Sequence, residues 1–296
     1  MTIILDGKKL SLEVISQLSE RVNKLTRKPD LAVVLVGENK GSEAFVRNKQ
    51  AVAARVGMGC RVFKYPNSIS VKDLSVNLNG IVRGEKYDGV IIQLPLPGLL
   101  DRSRYSLLRI IPEDRDADCL SEKWQGRLLT GRNFVEQKGK KVELLPPVAS
   151  AIFKLADKYN ISFENKNIVL VGWGDLVGKP LLPLLVRKGA TVTVCTSKTK
   201  DISVFTKNAD IVISGVGKAH IIIGSMLKRG AIVFDAGYTE IDGKTTGDID
   251  TDSVGGVVEM LSPSPGGIGP LTVACLLENV VALSELRQNI NSKRSL

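Results

Sequence analysis

Short runs of consecutive apolar residues alternate along the chain with stretches in which apolar positions recur every three or four residues. The first pattern reads as buried strands of a parallel sheet and the second as amphipathic helices. It predicts a helix over 10–25, a strand over 31–37 ended by Gly37, and a helix opened by Ser42 and running to about Val56. Strands over 60–65 and 89–93 follow, with a helix over 71–81 between them. A second series starts at Asn167, with strands over 167–172, 190–195, 210–214 and 230–235 and a helix over 179–188 in the first crossover. Alternation of this kind predicts an α/β fold with parallel sheets. At 296 residues the chain is long enough for two domains. The polar, glycine-rich 126–141, followed by Pro146-Pro147 and a helix to about Tyr159, is the expected boundary.

Composition narrows the chemistry. The single histidine, His220, and four scattered cysteines (Cys60, Cys119, Cys195 and Cys275) leave no CxxC or Cys/His cluster, so no zinc site and no disulfide framework is expected. This cysteine usage fits a reducing cytoplasm. No apolar run is expected to span a membrane, and no signal-peptide pattern opens the chain. The net charge of +10 is spread along the sequence with aromatics at only 5%, which argues against nucleic acid as partner. The densest basic stretch, Lys138-Gly139-Lys140-Lys141, reads as a solvated turn. A basic field attracts an anionic small substrate or cofactor, and a merely soluble basic surface is the competing explanation.

Two glycine-rich segments carry candidate chemistry. Ile168-Val169-Leu170-Val171-Gly172-Trp173-Gly174-Asp175-Leu176-Val177-Gly178 is a strand entering a GxGxxxG turn and then a helix, one residue longer than the usual dinucleotide fingerprint. Pro180 follows Gly178-Lys179 where a phosphate-binding P-loop needs Ser or Thr, so that motif is excluded. The next strand ends in Thr196-Ser197-Lys198-Thr199-Lys200, with donors and cations where an NAD site often has an acid; NADP is favoured, and a solvated polar loop is the alternative for the two lysines. The second segment, Ser262-Pro263-Ser264-Pro265-Gly266-Gly267-Ile268-Gly269-Pro270-Leu271-Thr272, reads as a fixed ligand-facing loop feeding a helix from Thr272 to Leu283, continued to about Ser292. In the first half, Phe45 and Lys49 share a helix face, Gln93-Leu94-Pro95-Leu96-Pro97 closes a strand, and Asp116-Ala117-Asp118 lies in a loop.

Taken together, these segments resemble the bifunctional methylenetetrahydrofolate dehydrogenase/methenyltetrahydrofolate cyclohydrolase family over nearly the whole chain. The match starts at Ile4-Leu5-Asp6-Gly7-Lys8-Lys9 and at Leu35-Val36-Gly37-Glu38-Asn39, Ser42 and Lys49. Farther on, it takes in Gln93–Pro97, Asp116–Asp118, Val177-Gly178-Lys179-Pro180, Ala209–Val212, Gly247-Asp248 and the Pro263–Thr272 loop. The resemblance implies two domains around a cleft: a folate-binding catalytic domain over 1–140, completed by the helix 273–296, and a Rossmann-like NAD(P) domain over 141–272. It implies a homodimer and a folate substrate, oxidised with NADP or NAD and then hydrolysed to formyltetrahydrofolate. Lys49 matches the lysine that handles protons, Gln93 the residue that holds it, and Asp118 the carboxylate that grips the pterin. Phe45 would stack on the folate ring, and Pro265, Gly266 and Gly267 would line its pocket. Gly172, Trp173, Gly174, Gly178, Thr196, Ser197 and Tyr238 would contact the dinucleotide.

Several positions depart from the family pattern. Phe45 replaces a tyrosine, Gly-Trp-Gly at 172–174 replaces Gly-Arg-Ser, Thr196 replaces a histidine, Cys119 a glycine, and Tyr238 an aliphatic residue. Leu144-Leu145-Pro146-Pro147 stands where the family reads Pro-Cys-Thr-Pro. A dehydrogenase-only member, another two-domain dehydrogenase such as a shikimate-like one, and a non-catalytic folate- or nucleotide-binding homologue are the competing readings.

Overall fold

Leu31-Ala32-Val33-Val34-Leu35-Val36 is buried at every position, as a strand covered on both faces must be. In the computed structural model, which describes residues 1–84, 86–137, 139–241 and 243–291, this run forms a central strand. Along the chain the elements are β1 (Ile3–Ile4), α1 (Gly7–Asn23), β2 (Asp30–Val36), α2 (Lys40–Val56), β3 (Gly59–Tyr65), α3 (Val71–Arg83) and β4 (Gly89–Ile92). Then come α4 (Gly98–Arg102), α5 (Arg104–Leu108), α6 (Glu122–Thr130), β5 (Phe134–Gln137), β6 (Lys140–Glu143) and α7 (Pro147–Lys158). The second series is β7 (Asn167–Val171), α8 (Gly178–Arg187), β8 (Thr191–Cys195), α9 (Ser203–Thr206), β9 (Ile211–Ser214) and β10 (Ile232–Asp235). It closes with β11 (Thr239–Ile241), β12 (Lys244–Thr246), α10 (Thr251–Val254), β13 (Met260–Ser262) and α11 (Ile268–Asn291).

The chain divides into two compact units, and both are discontinuous. One comprises Met1–Leu12 and Val148–Thr272, the other Glu13–Pro147 and Val273–Leu296. By compactness the chain thus divides after Leu12, inside the range 1–140 expected for the first domain. Ile3 and Ile4 pair in parallel register with Met260 and Leu261, which ties the N-terminus to the nucleotide-binding half.

In the unit holding 148–272, six parallel strands run in the order β1-β13-β10-β9-β7-β8. From β7 the chain steps outward to β8 and then returns to the other side at β9. This reversal between β7 and β9 is the topological switch point of a doubly wound sheet, beside which ligands bind. Val169, Val171, Val212, Val233 and Leu261 build the core on one side of it.

In the other unit a three-stranded parallel sheet, order β3-β2-β4, packs Val34, Val36 and Ile92 against Leu74, Leu78 and Leu107. The segment 126–141, expected to be the boundary, is largely folded. Its helix α6 buries Trp124 and Leu128, and the β5–β6 hairpin buries Val135 beside Leu283 and Leu286 of α11. The crossing between units comes later, at Pro147. Of the basic stretch, Lys138 lies outside the described residues, and Lys140 and Lys141 belong to β6.

Two helix ends differ from expectation. Asn39, not Ser42, caps α2: its Oδ1 accepts from the Ser42 N–H at 2.9 Å, the third N–H of the helix start. Helix α11 starts at Ile268, four residues before Thr272. Gly269 and Pro270 fit its first turn, where a proline forfeits no intrahelical hydrogen bond. The expected end at Ser292, like the rest of 292–296, lies outside the described residues. The expectation that no apolar run reaches membrane length also needs correction. Ile268–Gln288, 21 residues, is long and apolar enough, and 67% of its most apolar window is buried inside the protein. Burial within the protein accounts for that apolar character as core packing.

Candidate active site

Lys49 lies on α2 one turn after Phe45, so both half-buried side chains project from one face. Gln93 follows the C-terminal end of β4, its N–H bonded to Val34 O at 2.9 Å. Parallel strands present ligand sites at that end. Lys49 Nζ donates to Gln93 Oε1 at 2.7 Å, and Gln93 Nε2 donates to Leu94 O at 2.8 Å, so the carboxamide is held at both ends. Burial lowers the Lys49 pKa, opposed by the nearby Asp118 carboxylate and more weakly by Cys60. Burial raises Asp118, opposed by Lys49. Each group is costly to charge alone, and each eases the charging of the other.

The loop carrying Asp118 is clamped on both sides. Asp116, fully buried, accepts from Ser121 N at 2.9 Å and Leu120 N at 3.3 Å. Asn279 of α11 donates both amide hydrogens, to Ala117 O and Leu145 O, each at 2.8 Å. Cys119, directly after Asp118, is buried with φ +56°, a left-handed conformation that suits glycine better. Sequence reading missed Asn279 altogether, since a lone asparagine in an apolar helix carries no motif. Cys60, the thiol near Lys49, likewise lies in no motif.

In the other unit the expected cofactor residues gather at the C-terminal ends of the parallel strands. Gly172 has φ +109°, and an added Cβ would lie 2.9 Å from Gly215 O. At Gly178 an added Cβ would meet Gly172 O at 2.1 Å, so only glycine lets α8 start this close to the turn. Trp173 and Gly174 stand exposed on that turn. Beyond β8, Thr196 Oγ1 accepts from Lys198 N at 3.2 Å and Thr199 Oγ1 accepts from Thr196 N at 3.0 Å. That turn leaves Ser197 and Lys198 exposed, and the first acid, Asp201, is bonded to Ser203 N. Tyr238 follows β10, and Pro265, Gly266 and Gly267 follow β13. Gly267 cannot carry a side chain, because its Cβ would meet Ser262 Oγ at 2.1 Å. The Gly172–Gly178 turn at a helix start, with Thr196, Ser197 and Lys198 rather than an acid directly beyond β8, suits a dinucleotide that carries an extra phosphate.

A doubly wound sheet with a glycine turn, joined in one chain to a lysine–carboxamide–carboxylate cluster, defines a two-domain enzyme linked to a pyridine nucleotide. More narrowly, the chain belongs to the tetrahydrofolate dehydrogenase/cyclohydrolase family: the model of its catalytic domain matches residues 5–118 and that of its NAD(P)-binding domain residues 146–288. A bifunctional FolD protein of Hydrogenobaculum is 37% identical over 278 residues, covering 94% of this chain and 97% of that protein. Among solved structures, the bifunctional FolD of Campylobacter jejuni is 33% identical with a TM-score of 0.88, over 97% of this chain and 100% of that one. The dehydrogenase-cyclohydrolase of Trypanosoma brucei, solved with NADP and an inhibitor, is 29% identical with a TM-score of 0.87, over 96% and 97%.

Proposed function

We propose that this chain oxidises methylenetetrahydrofolate with NADP and hydrolyses the resulting methenyltetrahydrofolate to formyltetrahydrofolate. The observation that carries the reading is the Lys49–Gln93 hydrogen bond, next to Asp118, on a lysine whose pKa burial lowers. NADP, when bound, accepts a hydride from the methylene carbon of the folate. A lysine with a lowered pKa has a neutral amine available to take a proton from water as it adds to the cationic methenyl carbon. Gln93 holds that amine in place, and two carboxylate oxygens of Asp118 match the paired N–H donors of a pterin edge. Phe45 supplies a face for the folate ring without a hydroxyl of its own. Pro265, Gly266 and Gly267 offer a backbone surface for ligand beyond β13. Gly172, Trp173, Gly174 and Gly178 receive the pyrophosphate, Thr196 and Ser197 the adenosine ribose and its phosphate, and Tyr238 the nicotinamide end.

Assembly as a homodimer through the nucleotide-binding units is part of the same reading. Strand β8 is an outer strand of the six-stranded sheet with Val192 and Val194 half-buried, and Val204 and Phe205 are exposed on α9. An open strand edge, together with exposed apolar side chains elsewhere on the same unit, suits pairing with a second copy. Sedimentation at the mass of two chains is the expected result.

The test of function is absorbance of the methenyl product after mixing protein with methylenetetrahydrofolate and either NADP or NAD. Cofactor reduction with NADP and decay of the methenyl band to formyltetrahydrofolate are expected. No reduction with either nucleotide by folded protein overturns the dehydrogenase reading. A methenyl band that persists at the uncatalysed rate overturns the cyclohydrolase reading.

A further inference from the structure

Asp248 is fully buried, and four donors converge on it. Its Oδ2 accepts from Ser214 Oγ at 2.6 Å and Val216 N at 2.7 Å; its Oδ1 accepts from Gly217 N and Lys218 N, each at 2.9 Å. Three consecutive backbone N–H groups are thus gathered on one carboxylate, which dictates the path of the chain leaving β9. That path is the switch point of the sheet, and it touches the glycine turn. Gly215 O is the atom that an added Cβ on Gly172 would strike, and Gly215 itself lies against Val177, where a Cβ would come within 2.7 Å of the valine side chain.

A second buried carboxylate supports the first. Asp235 accepts from Asp248 N and Ile249 N, both at 3.1 Å, and from Gly237 N at 2.9 Å. Gly237 and Gly247 are glycines because these carboxylates fill the space: their Cβ atoms would lie 2.1 Å from Asp248 Oδ1 and 2.0 Å from Asp235 Oδ2. Two loops at the strand ends are tied into the same knot. Thr239 Oγ1 donates to Gly217 O at 2.8 Å, and Ser264 Oγ, in the Pro-Gly-Gly loop, donates to Gly237 O at 2.9 Å.

We infer that Asp248 is a positioning residue for the dinucleotide, which by holding Gly215–Lys218 against the Gly172–Gly178 turn fixes the shape that the cofactor enters. The inference rests on the reading of this unit as NADP-binding. It names a residue that would not touch the cofactor yet sets its affinity.

The test compares Asp248→Asn and Thr239→Val with the unaltered protein. Either orientation of the asparagine amide turns an NH2 donor toward N–H or O–H donors, so no orientation restores all four bonds. The milder Thr239→Val removes one bond to the same loop and leaves the core volume nearly unchanged. NADP binding is measured by isothermal titration, and hydrolysis is measured from methenyltetrahydrofolate supplied directly, without nucleotide. The expected result is an NADP Kd at least tenfold higher for Asp248→Asn and two- to fivefold higher for Thr239→Val, with hydrolysis within twofold in Thr239→Val. Unchanged NADP affinity in Thr239→Val and in folded Asp248→Asn overturns the inference. So does an equal loss of NADP affinity and hydrolysis in Thr239→Val, which would mark general damage. Failure of the unaltered protein to bind NADP overturns instead the reading on which the inference rests.

Discussion

Lys49 Nζ and Gln93 Oε1 stand 2.7 Å apart, and the far end of that carboxamide is anchored on Leu94 O, so the amine is aimed by a group that cannot swing away. Gln93→Glu puts a second carboxylate on the lysine, favours its charged form and moves the pH limb of methenyl hydrolysis to higher pH. Gln93→Leu removes the aim, and hydrolysis falls by roughly 10- to 100-fold, the cost of an unpositioned catalytic group. Stopped-flow decay of the methenyl band across pH checks both; an unmoved limb in Gln93→Glu contradicts the assignment of that limb to Lys49.

Asp118→Asn acts in the opposite sense. The carboxylate raises the Lys49 pKa against the effect of burial, so its neutralisation lets that pKa fall further. The hydrolysis limb shifts to lower pH, while KM for the folate substrate rises about tenfold or more through loss of the charged hydrogen bonds to the pterin. Initial rates at several pH values and folate concentrations separate the two effects.

Burial pushes the Asp116 carboxyl up to about 6. Its folded value then exceeds the ordinary unfolded one, so the native state holds the proton more tightly between the two. Stability from this group is complete below about pH 4 and is lost as pH rises through about 6. Urea unfolding at pH 4.5 and pH 7 should show a decline that is smaller by roughly 1–3 kcal/mol in Asp116→Asn, since Asp235, also pushed up to about 6 by burial, supplies a further part of the same sign.

Gly178→Ala brings a methyl group within 2.1 Å of Gly172 O and 3.1 Å of Trp173 Cα. The turn and the helix start must separate, at a cost of about 1–3 kcal/mol. A lower Tm and an NADP KM raised at least tenfold are expected, and a variant with unaltered KM would show that the turn is not a cofactor contact.

Cys119, Cys195 and Cys275 are buried, and burial raises the first two thiols; Cys60 is half-buried with its thiol pushed up to about 11. A thiol so far above neutral pH has little thiolate to react. Native protein should therefore titrate at most one slow thiol with a disulfide reagent at pH 8, and all four after unfolding. Cys119→Val should destabilise more than Cys119→Ala, because a branched side chain fits the left-handed backbone worse; paired denaturant curves test the order.

The strands over 30–36, 167–171 and 191–195 were legible because each is largely a run of apolar or β-branched residues, and the strand over 59–65, interrupted by Arg61 and Lys64, because of its place in the alternating α/β pattern. Lys49, Gln93 and Asp118 were legible for another reason: their neighbours form short motifs. Strand β1 was not, because two isoleucines have no periodicity and acquire a partner only at Met260. Helix α6 and the β5–β6 hairpin were hidden by glycine and charge, although Trp124 and Leu128 anchor them. Asn279 carries no motif, and Asp248, although it lies in a matched segment, shows no role in the sequence, for a physical reason common to both. Their work is done mostly on backbone carbonyls and N–H groups, which leave no trace in the identity of the residues they bind.

Strand β1 and helix α11 also set an order on events during synthesis. Thr2 bonds Val258 across 256 positions of sequence, so this bond waits until every residue between the two has been made. The unit that begins at Glu13 waits longer still, since Leu283 and Leu286 complete the cluster around Trp124. Contacts so distant in sequence slow folding, and exposed strand edges invite association while they wait. A nascent chain that stops before Val273 therefore carries every residue of the lysine cluster and still lacks the helix that fixes the loop bearing Asp118.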